Sequence, residues 1–211
     1  MRRAIATALA VTALAGCGRT ETFPGVADVK AALDAGLHCD RDGGVPQLAT
    51  AQAPDGTPLS WGRLDACVNV SYDIELAPLL PDLRRALADW SFPGCTWMCF
   101  TAPTAGGARP VDPADRRIHL ARLEGADAPA GTTATTQLNF TPDGEIFSAD
   151  ILLRDELNRP GDAPLLWLVG QVLGFEPTPS VDSALNDRTG VPNALTAADE
   201  ESVCALYPSC R

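Results

Sequence analysis

An α+β fold is predicted by three patterns in the chain. Val68, Val70, Tyr72, Ile74 and Leu76 alternate with Asn69, Ser71, Asp73 and Glu75, the period-two mark of a strand with one buried face. Leu83, Leu87 and Trp90 then recur at i, i+4 and i+7, which places them on one side of a helix. Ala163 to Phe175 is apolar nearly all round, as suits a helix buried in the middle of a domain. The order strand, helix, strands, buried helix, loop, helix indicates an α+β domain, or a mixed sheet with helices. At 211 residues the chain suits one domain or a small pair, and a multidomain machine is excluded.

Each element has its local reason. Residues 18 to 26 read as a short tether. Val26 to Leu37 reads as a small helix with Val29, Ala32 and Leu33 on one face and Gly36 as its stop signal. Asp40 to Ser60 contains Gly43-Gly44, Pro46, Pro54, Asp55-Gly56 and Pro58 without an apolar period, and so reads as loop. The strand of Val68 to Leu76 follows, and Pro81-Asp82 opens the first amphipathic helix, because proline's missing N–H is harmless in a first turn. A short strand is expected around Cys95 to Phe100, and another where Ile118, Leu120 and Arg122 alternate with His119 and Ala121. Thr135 to Phe140 and Glu145 to Leu153 flank Thr141-Pro142-Asp143-Gly144, a hairpin signal. Asp182 to Ala194 is irregular. Thr196-Ala197-Ala198-Asp199 then caps a last helix that runs to Tyr207 before Pro208.

The N-terminus carries an export signature. Met1-Arg2-Arg3 is a positive start, and Ala4 to Ala15 is an apolar stretch well short of the roughly 20 residues that span a bilayer. Leu14-Ala15-Gly16-Cys17 resembles the bacterial lipobox, which implies a signal peptide over 1–16 and a lipid on Cys17. Several acyl chains would make that anchor effectively permanent. Gly18, where an Asp would mark inner-membrane retention, turns the expectation towards the outer membrane of a bacterial cell envelope, on its periplasmic or surface face. The seven cysteines then divide as Cys17 for lipid and six others: Cys39, Cys67, Cys95, Cys99, Cys204 and Cys210. Outside the cytoplasm six cysteines read as up to three disulfides, and pairing of near neighbours gives Cys39 with Cys67, Cys95 with Cys99 and Cys204 with Cys210. The 27 acidic against 16 basic residues give a net charge of −11, which excludes nucleic acid held by phosphate neutralisation.

Four pieces follow one another in order: a strand ending in Tyr72-Asp73-Ile74, a helix ending in Ala86-Leu87-Ala88-Asp89-Trp90-Ser91, the hairpin stretch Asp143-Gly144-Glu145-Ile146-Phe147-Ser148-Ala149-Asp150-Ile151, and a closing Leu195-Thr196-Ala197-Ala198-Asp199 through Leu206-Tyr207. In this order they resemble the matrixin-like metzincin metalloproteases. The resemblance covers roughly residues 61 to 208. With the lipobox, it divides the chain into a lipidated cysteine, tether and irregular segment over 17–60 and a matrixin-like domain over 61–211. It further implies a twisted mixed sheet with a long N-terminal helix, a buried central helix and a C-terminal helix. Those enzymes bind zinc through H-E-x-x-H-x-x-G-x-x-H, two histidines sharing a helix face, a glycine turn, and a third histidine beyond it. That motif falls on Trp167 to Pro177 here. Gly174 keeps the turn, but Trp167, Gln171 and Pro177 stand at the ligand positions and Leu168 at that of the general base. The family's methionine turn has Ser183-Ala184-Leu185 as its nearest match. A zinc site and a catalytic residue are therefore not expected.

Other chemistry is sparse. The two histidines, His38 and His119, have no partner at metal-ligand spacing, and His38 adjoins a cysteine assigned to a disulfide. Asp143, Glu145 and Asp150 suggest a structural calcium only weakly, because Asp-Gly is first of all a turn. The reading that follows is a membrane-anchored envelope lipoprotein with a catalytically inactive metalloprotease-like domain that binds a peptide or protein. Its cleft would be edged by the Glu145 to Leu153 strand. Two alternatives stand beside it, a hydrolase with a non-standard site and a purely structural envelope lipoprotein.

Overall fold

The computed structural model describes residues 48–61, 67–91, 98–106, 116–123, 132–157, 164–180, 183–186 and 194–207. The expected helix over Val26 to Leu37, the lipobox and His38 lie outside them. Five strands form one sheet: β1 (Asn69–Tyr72), β2 (Thr104–Ala105), β3 (Arg117–Arg122), β4 (Ala134–Phe140) and β5 (Ile146–Leu153). Their order across the sheet is β2-β1-β3-β5-β4. β2, β1, β3 and β5 run parallel, and β4 closes one edge antiparallel to β5. Three helices accompany them: α1 (Leu80–Ser91), α2 (Leu165–Val172) and α3 (Ala197–Leu206). The fold is thus α+β, with a mostly parallel sheet. None of the helices among the described residues is long and apolar enough to cross a membrane.

Local chemistry moves some boundaries. The predicted first strand stops at Tyr72, and Ile74–Leu79 is a 3-10 helix that leaves Ile74 62% exposed. Asp73 turns the chain. Its N–H donates to the Leu120 carbonyl at 2.9 Å, and its carboxylate accepts the Arg122 N–H at 3.0 Å, taking the acceptor role that a continuing strand's carbonyl would play. The strand expected near Cys95 to Phe100 is displaced to Thr104–Ala105, and Phe100 makes only a single bridge to Val68. The hairpin stands where Asp-Gly put it, with Gly144 at φ 85°.

One face of the sheet carries Val70, Ile118, Leu120, Ala149, Ile151 and Leu153 onto Leu83, Leu87 and Trp90 of α1 and Leu165, Leu168, Val169 and Val172 of α2. The same core takes in Leu48, Ala53 and Leu59 from the segment read as loop. That segment is a strap. Ala51 donates to the Gly174 carbonyl at 2.8 Å, Glu176 to Ala49 at 2.9 Å, and Ser60 to Gly144 at 3.0 Å, so it ties the end of α2 to the tip of the hairpin. On the other sheet face Ser71, His119, Ser148 and Asp150 are buried while Asn69, Thr104, Gln137 and Asn139 are exposed, so the first strand, expected to be half-buried, is covered on both faces at Val70 and Ser71 and exposed at Asn69.

α1 and α2 cross at Gly170, where a Cβ would lie 2.5 Å from both Trp90 Cζ2 and Leu185 Cδ2. Neither a buried indole nor a core leucine retreats at no cost in a close-packed interior. Gly170→Ala is expected to lower stability by about 1–3 kcal/mol, read as a lower urea midpoint with an unchanged slope.

Candidate functional site

α2 carries the first positions of the stretch compared with the zinc motif, Trp167, Leu168 and Gln171, and its terminal carbonyls set its position. A helix end leaves carbonyls without intrahelical partners, and a buried helix cannot give them to water. Trp61 Nε1 donates to Val172 O at 2.8 Å, and the Tyr207 hydroxyl donates to Leu173 O. Near the helix start, Trp90 Nε1 donates to Leu166 O at 2.8 Å. Gly174 then turns the chain at φ 94°, with its α-carbon so near the strap that a Cβ would lie 2.4 Å from Leu59 O. The glycine read as the motif's turn is a turn, and both its dihedral and its crowding exclude a side chain.

The motif positions do separate things. Leu168 is buried in the core. Trp167 is half-buried, and its Nε1 donates to Leu185 O at 3.2 Å. Gln171 is 8% exposed, and its Oε1 accepts a 2.9 Å hydrogen bond from the Thr136 hydroxyl on β4. Pro177 is exposed beyond the turn. Indole, isobutyl and pyrrolidine groups offer no lone pair to a metal, and the one amide oxygen is engaged by Thr136, so a zinc ion does not fit this donor set. Among the described residues no three His, Cys, Asp or Glu side chains converge as metal ligands. Asp143 and Glu145 are exposed at the hairpin tip, while Asp150 is buried farther along β5, about 16 Å from Glu145 at strand rise, so the three do not share a site.

Beneath α2 lies the turn Ser183–Asn186, held by Asp199, which is fully buried at the start of α3. Its carboxylate accepts from Ser183 Oγ, Ala184 N, Thr196 N and Thr196 Oγ1, the last three at 2.9 Å. The capping box expected of Thr196 is present, and the same Asp199 reaches past it to fix the turn whose Leu185 carbonyl receives Trp167.

β4 carries the free edge. In an antiparallel pair, backbone groups alternate between facing the partner and facing away. Arg154 N donates to Thr133 O, so residues 133, 135, 137 and 139 face β5, and the backbone groups of Ala134, Thr136 and Leu138 point outward. Among the described residues β4 pairs with β5 alone. The cleft edge expected at Glu145 to Leu153 is therefore corrected to Ala134–Phe140, since β5 is an interior strand bonded on both sides. Thr136 was not singled out in the sequence, and neither were Trp61 or Tyr207 as donors to α2. Long-range donors to a helix end leave no local spacing to detect.

On the opposite sheet face, Ser71 Oγ lies 2.8 Å from His119 Nδ1, and His119 Nε2 lies 3.3 Å from Asp73 Oδ1. Serine, imidazole and carboxylate in series have the form of a nucleophile relay. Access decides against it. Ser71 and His119 are each 3% exposed, and Ser71 sits mid-strand between β2 and β3, where neighbouring N–H groups face ladder partners instead of a substrate oxygen. The series joins strands.

The disulfide framework differs from the near-neighbour expectation. Cys67 pairs with Cys99, not with Cys39, so Cys99 is also unavailable to Cys95. Strand register explains the choice: Val68 bridges Phe100 in parallel and brings the two preceding positions to a Cα separation of 4.5 Å. Cys204 is disulfide-bonded, and Cys39, Cys95 and Cys210 lie outside the described residues. The chain matches no model of a known protein family and none of the curated proteins it was compared with.

Two outcomes are expected. Asp199→Ala strands the buried donors of Ser183 and Ala184 and the part-buried ones of Thr196 and should cost roughly 3 kcal/mol in chemical denaturation, with Asp199→Asn losing less. Burial holds the Tyr207 phenol above its ordinary value of 10.0, against smaller opposing effects of the Trp61 backbone and Arg116. A group raised in the fold leaves stability intact below the unfolded value and erodes it as pH climbs above that value, so the protein should weaken above about pH 10. Tyr207→Phe should flatten that alkaline limb of the stability profile while costing about 1 kcal/mol at neutral pH for the lost hydrogen bond.

Proposed function

We propose that the chain is a lipoprotein of the bacterial envelope, anchored through Cys17, whose folded part is a metzincin-like domain without catalytic zinc that binds an extended peptide or protein segment. The observation that carries this reading is the outward-facing backbone of Ala134, Thr136 and Leu138 on β4, set beside a buried helix whose motif positions are Trp167, Leu168 and Gln171. A sheet edge with unpaired N–H and C=O groups binds an extended segment by adding it as a further strand. Supporting the family reading are the four parallel strands with one antiparallel edge strand, the positive-φ glycine after α2, and the Ser183–Asn186 turn beneath that helix. The Cys67–Cys99 disulfide accords with an oxidising compartment.

The spacer reading has one observation on its side. Gln171 is buried and bonded to Thr136, so the floor of the cleft at that point is closed by side chains. The two readings part at β4, because a spacer needs no edge.

Thr136→Pro removes an outward N–H without touching the β4–β5 ladder, whereas Thr136→Val removes only the bond to Gln171. In pull-downs from envelope extract, the proline variant should lose a specific partner by tenfold or more, and the valine variant should keep it. Recovery of no partner that discriminates them speaks for the spacer, and near-stoichiometric zinc with chelator-sensitive peptide cleavage sinks the pseudoenzyme reading.

A further inference from the structure

The edge of β4 does not end in neutral surroundings. At its C-terminal end the hairpin tip presents Asp143 and Glu145, both exposed. The exit of α2 is brought to the same end: Gly174 packs on Leu59 and toward Ile146 Cδ1, and Ser60 bridges Glu145. Asp143 accepts the Thr141 hydroxyl, which holds its carboxyl below the ordinary carboxylate value and keeps it ionised. Neither Asp143 nor Glu145 is in an ion pair among the described residues. The opposite end of β4 differs, because there Arg154 bonds Thr132 and Asp155 is paired with Arg122.

We infer that the segment added to β4 is cationic, with Lys or Arg side chains at the end that lies over Asp143 and Glu145. The inference rests on the strand-addition reading and names the chemistry of its ligand. Charge at the rim of a binding edge selects among partners and speeds encounter more than it holds the complex, and the net charge of −11 favours the same sign of partner at long range. Polar and apolar extended segments without basic residues meet the same backbone donors but leave both carboxylates uncompensated.

The test uses the purified full chain in detergent and a display library of random dodecapeptides, with counter-selection on the Thr136→Pro variant. Recovered peptides should be enriched in Lys and Arg and depleted in Asp and Glu. Their affinity should fall several-fold in the double variant Asp143→Asn, Glu145→Gln, and fall with added salt. If the proline variant does not fold, N-methylation of alternate residues in a recovered peptide replaces it, since strand addition is lost when the ligand's own donors are blocked. Edge-dependent peptides without basic bias, or an unchanged affinity in the double variant, overturn the charge inference and leave strand addition standing. Basic peptides that bind the proline variant equally well overturn both, as does a selection that recovers no edge-dependent peptide.

Discussion

The structure depends on a buried helix whose exposed carbonyls have been answered from a distance. α2 lies beneath the sheet, and its last carbonyls would be orphaned there without water. Trp61, from the segment before β1, and Tyr207, just past α3, each give a hydrogen bond to one of them. An unmet buried carbonyl costs on the order of 1–3 kcal/mol, so these two donors decide whether the helix can stay where it is. Trp90 adds a second bond in the first turn, to a Leu166 carbonyl that the helix ladder already serves. They also act as clasps. The chain ahead of the sheet, the first helix and the last helix are each fixed to α2 by a ring that packs in the core at the same time as it donates.

That arrangement explains how the motif positions hold non-ligating residues without loss of the fold. Nothing that positions α2 comes from Trp167, Leu168 or Gln171 acting as ligands. Leu168 adds apolar burial of about 2 kcal/mol at a point where an ionised carboxylate without a metal would carry a desolvation penalty. Trp167 extends the same donor logic, answering the Leu185 carbonyl, and Asp199 in turn holds that turn rigid. The helix is the hub of a set of neutral hydrogen bonds whose only charged member is a carboxylate with four donors.

What the sequence made legible follows from range. Period-two alternation, the Asp-Gly tip, the capping box at Thr196 and the turn at Gly174 are local, and each stands close to where its residues put it. The first strand was read four residues too long at its C-terminal end, because nothing in the alternation of Ile74 and Leu76 reveals that Asp73 will be claimed by Arg122 from β3. The Cys67–Cys99 pair was missed for the same reason: proximity along the chain is a poor guide once a parallel bridge brings Val68 to Phe100. The free edge was assigned to the wrong arm of the hairpin. Either arm of a hairpin can be outermost, and only the placement of β3 beside β5 decides it.

The composition of β4 bears on why an open edge is tolerated there. Edge strands in soluble proteins are usually blunted by lysine, proline, inward charges or a bulge, because an unpaired ladder recruits other chains. β4, Ala134–Phe140, has neither lysine nor proline, and its only irregularity is a register shift at Asn139/Phe140, at the hairpin end. Over the six residues from Ala134 to Asn139 the edge is regular, and Thr135, Thr136, Gln137 and Asn139 make it polar without making it charged. Polar side chains of this kind weaken hydrophobic stacking between sheets, but they leave main-chain pairing open. The other edge, β2, is two residues long and offers a pairing partner almost nothing. The fold thus limits one edge by length and leaves the other long, regular and uncharged within its span, with carboxylates only beyond its end. Under the proposed function such an edge would admit a strand while its flanking charge selected which, a division of labour that the spacer reading does not require.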